Sequence, residues 1–275
     1  MVNFYAVNLN AQRRFDKEDF FLKAYNAKDI RNIAIAGHGG RGKTTLAEAM
    51  LYTAKATDRL GRVADGTTVL DFDAEEKKRK ATVSTAVAAI EWNGAKINII
   101  DTPGLFDFAG GMSEGIRAAD SVLIVTAAGS GFDVGAEKAL KAANARGISR
   151  MFAITRCDAD NTDFYKTFAA IKDAVGGAIC PVIVPYMDDG KVAAYVNLAS
   201  RKAFDYSSGE KKEVAMPSDP QLDEMLDILT EAVASSDDEL MEKFFAGETF
   251  TREEIIKALN SGVSDGSVIP GYACA

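Results

Sequence analysis

The sequence predicts an α/β fold, a mostly parallel sheet flanked by helices. Short apolar runs alternate with helix-patterned segments from Ile30 onward, as a parallel sheet covered on both faces requires. Gly37-His38-Gly39-Gly40-Arg41-Gly42-Lys43-Thr44 joins the first apolar run, Asn32 to Ala36, to a helix-forming segment, Leu46 to Leu51. A second apolar run, Ile97 to Ile100, ends on Asp101 and continues into Thr102-Pro103-Gly104.

In chain order, the periodicity places strands near 31–36, 83–91, 95–100, 121–126 and 150–155 and helices near 43–55, 112–119, 135–146 and 161–174. Asn93-Gly94 carries the signal of a two-residue hairpin, so one antiparallel pair belongs in the sheet. Residues 1–28 are polar and irregular and read as a leader outside the core, which spans 29–176. After Gly176 the pattern changes. A strand at 181–186, Asp188-Asp189-Gly190 and the run 192–196 make a hairpin or small meander, and the charged stretch 200–218 reads as surface. Asp219 reads as a helix N-cap with Pro220 at the first helical position, followed by Leu222, Met225, Leu226 and Leu229 at helical spacing. Ser236 with Glu239, and Thr251 with Glu254, are spaced as capping boxes for two further helices. The block 177–262 is therefore an expected α+β insertion subdomain. Residues 263–275 are an expected return strand of the core, and its apolar end at Ala275 predicts a chain cut short.

Composition narrows the partners. Hydrophobic residues make up 47% and charged residues 26% of 275, an ordinary globular profile. A net charge of −8 argues against a broadly basic nucleic-acid face, so no DNA partner is expected. No apolar run approaches the roughly 18 residues that span a bilayer, and the N-terminus lacks the pattern of a signal peptide. Cys157, Cys180 and Cys274 are scattered without metal-ligand spacing, which fits reduced thiols in a cytoplasmic protein. A monomer is expected.

The glycine-rich segment has the form G-x-x-x-x-G-K-[ST] between strand and helix, the phosphate-binding P-loop in its proper setting. Its glycines let backbone N–H groups turn inward, and the helix that follows adds a positive end. Lys43 reaches the outer phosphates, and the Thr44 hydroxyl is a ligand for Mg²⁺. The competing reading is a plain glycine-rich turn. Asp101 at a buried strand tip is placed to order the Mg²⁺ shell, and Gly104 leaves a backbone N–H for a γ-phosphate. D-x-x-G alone is weak; downstream of a P-loop, at a strand end, it points to a nucleotide hydrolase or switch.

Between these motifs lies a long charged stretch, Asp58 to Thr82, most of whose charges read as a solvated loop or helix face. Thr82 stands just before the second strand, where a GTPase places the threonine that closes over Mg²⁺ and the γ-phosphate. After the fifth strand, Thr155-Arg156-Cys157-Asp158 occupies the place of N-K-x-D, the guanine-reading motif. Asp158 favours guanine by accepting from the base edge, and Arg156 can stack as lysine would. Thr155 lacks the fork of an amide, so ATP or weak base selectivity stays open.

Arg31 to His38 with Gly42 to Tyr52, Gly61 to Thr68, Ile97 to Gly104 with Asp107-Phe108, and Asp238 to Phe244 together resemble the start of translational elongation factor G, on the side of its elongation-factor-G-like paralogues. The resemblance runs from about Asp29 to the C-terminus. It implies a P-loop GTPase fold with a helical insertion, Mg²⁺ and GTP/GDP as ligands, the ribosome as partner, and a fifth guanine motif, S-A-[KL], beyond Ala275. The implied nucleotide-binding residues are Gly37, His38, Gly39, Gly40, Arg41, Gly42, Lys43, Thr44, Thr45, Asp101, Gly104, Thr155, Arg156 and Asp158. Thr44 and Thr82 are the implied metal ligands, and Lys43, Thr82 and Gly104 the implied catalytic set. Two positions depart from the family. Leu105 stands where the family's D-T-P-G-H carries the water-positioning histidine, which implies hydrolysis that is weak without the ribosome, or a binding switch with little hydrolysis. Gly40 stands where translational GTPases often carry Asp. His38, the sole histidine, is either a substitute for positioning water or a loop residue packed near the switch.

Overall fold

The computed structural model describes residues 24–275; most of the expected leader lies outside the described residues. The strands are β1 Ile30–Gly37, β2 Ala86–Trp92, β3 Ala95–Asp101, β4 Ser121–Ala127, β5 Ser149–Thr155, β6 Ile179–Asp188, β7 Lys191–Asn197, β8 Lys202–Asp205, β9 Lys212–Val214 and β10 Ile269–Ala273. They form one sheet in the order β2-β3-β1-β4-β5-β10-β6-β7-β8-β9. The stretch from β3 to β6 in that order is parallel. β2 closes one edge antiparallel to β3 across the Asn93-Gly94 turn, where both residues have positive φ as a type I′ hairpin requires. At the other edge β6 to β9 form an antiparallel meander.

The central strands are buried on both faces, so they read as continuous apolar runs while their side chains alternate between two cores. Ala34, Ala36, Val122 and Ile124 join the larger core, with α3 (Ala109–Ala118), α4 (Val134–Arg146) and α5 (Phe164–Val175). Ile35, Leu123 and Val125 join the smaller core under α1 (Lys43–Thr53). The strand C-termini of this parallel array lie on the same edge as the loop after β1, which positions the site.

Helix ends follow their caps. Asp133 caps α4 by accepting from Ala136 N at 2.9 Å, and Gly147 ends it in the left-handed region. Asn161 has φ +57, so α5 begins only after its Asp163 cap, three residues later than the periodicity places it. Asp219 and Pro220 start α6 (Pro220–Ala234), and Thr251 and Glu254 form a reciprocal capping box on α8 (Arg252–Asp265). The cap of α7 (Asp238–Phe245) is Asp237, not Ser236. Asp237 accepts from Glu239 N and Leu240 N, while Ser236 Oγ donates back to Val233 O. A carboxylate at the adjacent position outcompetes the hydroxyl for the free amides. The stretch 200–218 is likewise not plain surface: β8 and β9 extend the sheet there, with Ala203 buried between exposed Lys202 and half-buried Phe204. Among the described residues, no helix is long and apolar enough to cross a membrane.

Candidate nucleotide site

β1 ends at Gly37 and α1 starts at Lys43, so residues 38–42 form a tight loop at the sheet's C-terminal edge. Gly40 and Gly42 hold φ of +72 and +87, a backbone that L side chains rarely adopt and that curls the loop. Lys43 is buried, and its Nζ donates to His38 O at 3.0 Å across the loop. Burial lowers its pKa, opposed by the carboxylates of Asp101, Asp133 and Asp71. A cleft of about 230 Å³ opens here, lined by Gly39, Lys43, Thr44, Asp71, Thr82 and Gly104 among others. Thr45, exposed on the first turn of α1, also reaches its wall.

The end of β3 meets this loop closely. A Cβ on Gly104 would sit 2.2 Å from Lys43 Nζ and 2.6 Å from Gly39 N, so only glycine allows the approach. Leu105 follows, 38% exposed, its Cδ2 against Gly39 and its side chain on the cleft wall. His38 turns away from the cleft: its Nδ1 lies 3.0 Å from Gly39 O, and its ring meets Phe106 edge-on at 5.3 Å between centroids. Gly135 of α4 backs it, since a Cβ there would fall 2.4 Å from His38 Cα. The histidine therefore packs the loop against the segment after Gly104.

Thr44, Thr82, Asp101 and Asp71 converge beside Lys43. Thr44 Oγ1 lies 2.6 Å from Asp101 Oδ2 and 2.9 Å from Thr82 Oγ1, and Thr82 Oγ1 lies 2.8 Å from Asp71 Oδ1. Two hydroxyl protons cannot serve three oxygen–oxygen contacts. Either a carboxyl keeps a proton, or a cation replaces one. Burial pushes Asp101 up to about 7, which supplies the first arrangement near neutrality. Its Oδ1 is buried without a hydrogen-bond partner. Hard oxygen donors, a surplus of lone pairs and an orphaned carboxylate oxygen fit a hydrated divalent cation such as Mg²⁺. Among the described residues, no group of three or more His, Cys, Asp or Glu could hold a metal ion by itself.

This carboxyl sets a pH dependence. Its folded-state pKa of about 7 lies above the ordinary value of 3.8, so the folded state favours the neutral acid. That stabilisation is complete below the ordinary value and is lost as pH rises through about 7. Melting of the ligand-free protein in chelator should therefore fall across this window, and Asp101→Asn should flatten the fall. Parallel melting curves for the two proteins would contradict the assignment.

The base side of the cleft follows β5. Thr155 is buried, and its hydroxyl donates to Arg41 O at 2.7 Å, tying β5 to the P-loop with a single bond. Arg156 is left-handed at φ +58, and its Nη2 donates to Gly40 O at 2.7 Å, so the guanidinium sits over the loop at the cleft's rim. Asp158 is exposed in the turn beyond. That turn is held by Cys274, the residue just past β10: Cys157 N donates to Cys274 O at 3.1 Å and Cys274 N to Ile154 O at 2.8 Å. Arg41 itself pairs with Asp133, the cap of α4, Nε to Oδ2 at 2.9 Å in a part-buried contact.

The charged stretch 58–82 contains what sequence reasoning missed. A short helix, α2 (Ala74–Arg79), forms there. Asp71 and Glu76 are buried, not solvated, as is Glu48 of α1. Glu48 Oε1 accepts from Val69 N at 2.7 Å and Leu70 N at 3.0 Å. Lys80 ends α2 at φ +54 and lines the cleft. The spacing Asp73-x-x-Glu76 is a capping signal and could have disclosed α2; the burial of Asp71 has no comparable local sign.

The chain matches the family model described as elongation factor Tu GTP binding domain over residues 28–272. It belongs to that family. This GTP-binding domain is 34% identical over 245 residues to proteins named elongation factor G-like protein from two Mycobacterium tuberculosis strains, CDC 1551 / Oshkosh and H37Rv. The match takes in 88% of this chain and 34% of each relative, so the chain spans about a third of their length. A crystal structure of a Thermus thermophilus protein superposes with a TM-score of 0.81 at 34% identity, covering 89% of this chain and 37% of that one. The fold is thus that of the GTP-binding domain of this family, shared with elongation-factor-G-like proteins, and family membership brings guanine nucleotide as its ligand class.

Proposed function

We propose that this domain binds Mg²⁺–GTP, hydrolyses it slowly by itself, and works in the cytoplasm as the GTP-binding part of an elongation-factor-G-like translation factor coupled to a ribosomal step. The observation that carries the reading is the convergence of Thr44, Thr82 and Asp101 on one buried point beside Lys43, with Gly104 against the P-loop. In it, Lys43 and the inward amides of residues 39–44 hold the β- and γ-phosphates. Thr44 and Thr82 hold Mg²⁺, Asp101 orders its water shell, and the Gly104 N–H senses the γ-phosphate. Bound Mg²⁺ supplies charge neutralisation on the phosphate oxygens. Residues 29–176 with the return strand form the nucleotide-binding core, and 177–262 the insertion.

Asp158 and Arg156 take the guanine. Asp158→Asn exchanges an acceptor for a donor at the base edge and should shift preference from guanine toward xanthine nucleotides by about tenfold or more, since a site built for one hydrogen-bond pattern penalises the other. Competitive titration of GTP against XTP reads this directly, and an unchanged preference would remove Asp158 from base recognition. ATP binding as tight as GTP would refute the guanine assignment.

Leu105 favours a second reading, a GTP-binding switch with little hydrolysis. An apolar side chain on Gly39 can neither accept from nor donate to an attacking water. Single-turnover GTP cleavage, measured with and without ribosomes, separates the two readings. Cleavage accelerated by ribosomes supports the catalyst; its absence there leaves the switch.

A further inference from the structure

We infer that Glu76 is a positioning residue for Thr82: its buried carboxylate splints the loop 71–84 and so presents the Thr82 hydroxyl to Mg²⁺–GTP. The inference rests on the magnesium and GTP reading above.

Glu76 is 1% exposed, and its oxygens are consumed by backbone amides. Oε1 accepts from Val83 N at 3.0 Å and Ser84 N at 3.1 Å, and Oε2 from Asp73 N at 3.2 Å. Only the last of these belongs to the capping box of α2. The other two reach across to the residues that immediately follow Thr82. A helix cap needs no such contacts, whereas a brace between residues 73 and 84 does. The carboxylate is the right group for this, since one ionised acceptor can satisfy several converging amides in a dry site.

The brace has a second foot. Glu48 of α1 fixes Val69 N and Leu70 N, so the loop enters Asp71 from an anchored backbone. Asp71 Oδ1 then accepts from Thr82 Oγ1, and Thr82 meets Thr44. Buried carboxylates thus hold the chain on both sides of Asp71 and Thr82, and both act through backbone amides. Their effect is to order Thr82 before the γ-phosphate arrives, which removes part of the ordering cost from GTP binding. GDP, which lacks the group that Thr82 closes over, gains much less.

The test is the ratio of GTP to GDP affinity in Glu76→Ala, with half-saturating Mg²⁺ for GTP binding measured beside it. We expect the GTP:GDP affinity ratio to fall about tenfold or more and the Mg²⁺ requirement to rise, with GDP affinity within about threefold of wild type. Amide hydrogen exchange should quicken at Val83 and Ser84 while β1, β3 and β4 keep their protection. An unchanged ratio, or an equal loss for both nucleotides, would overturn the inference, because a purely structural defect loses both together. If Glu76→Ala does not fold, Glu76→Met is read in the same way. It keeps the length of the side chain but offers the amides of Val83 and Ser84 no acceptor. Failure of the wild-type protein to bind GTP in a Mg²⁺-dependent way would instead remove the underlying reading.

Discussion

Lys43→Ala should weaken GTP binding by about a hundredfold or more. Truncating one partner of a buried, charge-assisted contact costs roughly 2–5 kcal/mol, and each 1.4 kcal/mol is about tenfold in affinity. The lysine is already desolvated in the ligand-free protein, so its ammonium has given up water before any phosphate arrives. A pre-desolvated, pre-aimed cation on His38 O is worth more to a polyphosphate than a solvated one. The same desolvation predicts a small change in the ligand-free melting temperature: removal relieves the buried charge while depriving Asp101 and Asp71 of their neighbour. Titration with a fluorescent GTP analogue checks the first outcome and thermal melting the second. Near-wild-type affinity would mean that phosphates do not sit on this loop.

Gly104→Ala should be nearly as damaging, by a different route. The added methyl would overlap Lys43 Nζ at 2.2 Å and the Gly39 backbone at 2.6 Å. The lysine head is flexible, but the P-loop backbone is not, because Gly135 and His38 hold it against α4. The turn after β3 must therefore retreat and carry the Gly104 N–H with it. A displacement of about 1 Å at a reacting group commonly costs on the order of a hundredfold. GTP affinity should drop toward that of GDP, because the lost amide faces the γ-phosphate. Paired titrations with GTP and GDP measure the effect, and an intact preference for GTP would show that Gly104 is not the sensor.

The parts of this fold that were legible in the sequence share one property: the responsible atoms are neighbours in the chain. The P-loop, the Asn93-Gly94 hairpin, the Asp219-Pro220 helix start and the Thr251–Glu254 box each follow from backbone geometry over a few residues. Errors arose where two local candidates competed, as with Ser236 and Asp237, or where a stretch rich in charge hid a strand, as at 202–214. The stretch 58–82 misled for a deeper reason. Asp71 and Glu76 look like surface residues beside Glu75, Lys77 and Lys78, and only the placement of their partners distinguishes them.

The sequence by itself determined the ligand class and the α/β core, because a loop that cradles phosphates needs glycine, lysine and threonine at fixed spacing whatever surrounds it. Tertiary structure alone decided three further things. It brought Thr82 and Asp71 to Thr44, laid Leu105 over Gly39, and buried Glu48 and Glu76 on amides of the same loop. A buried carboxyl needs partners for its oxygens, and at Glu48 and Glu76 backbone N–H groups supply them. For Glu48 and Glu76 those groups lie on the loop 69–84, and apart from the capping contact with Asp73 they meet the carboxylates only once the chain has folded, so the residues beside each glutamate do not disclose them.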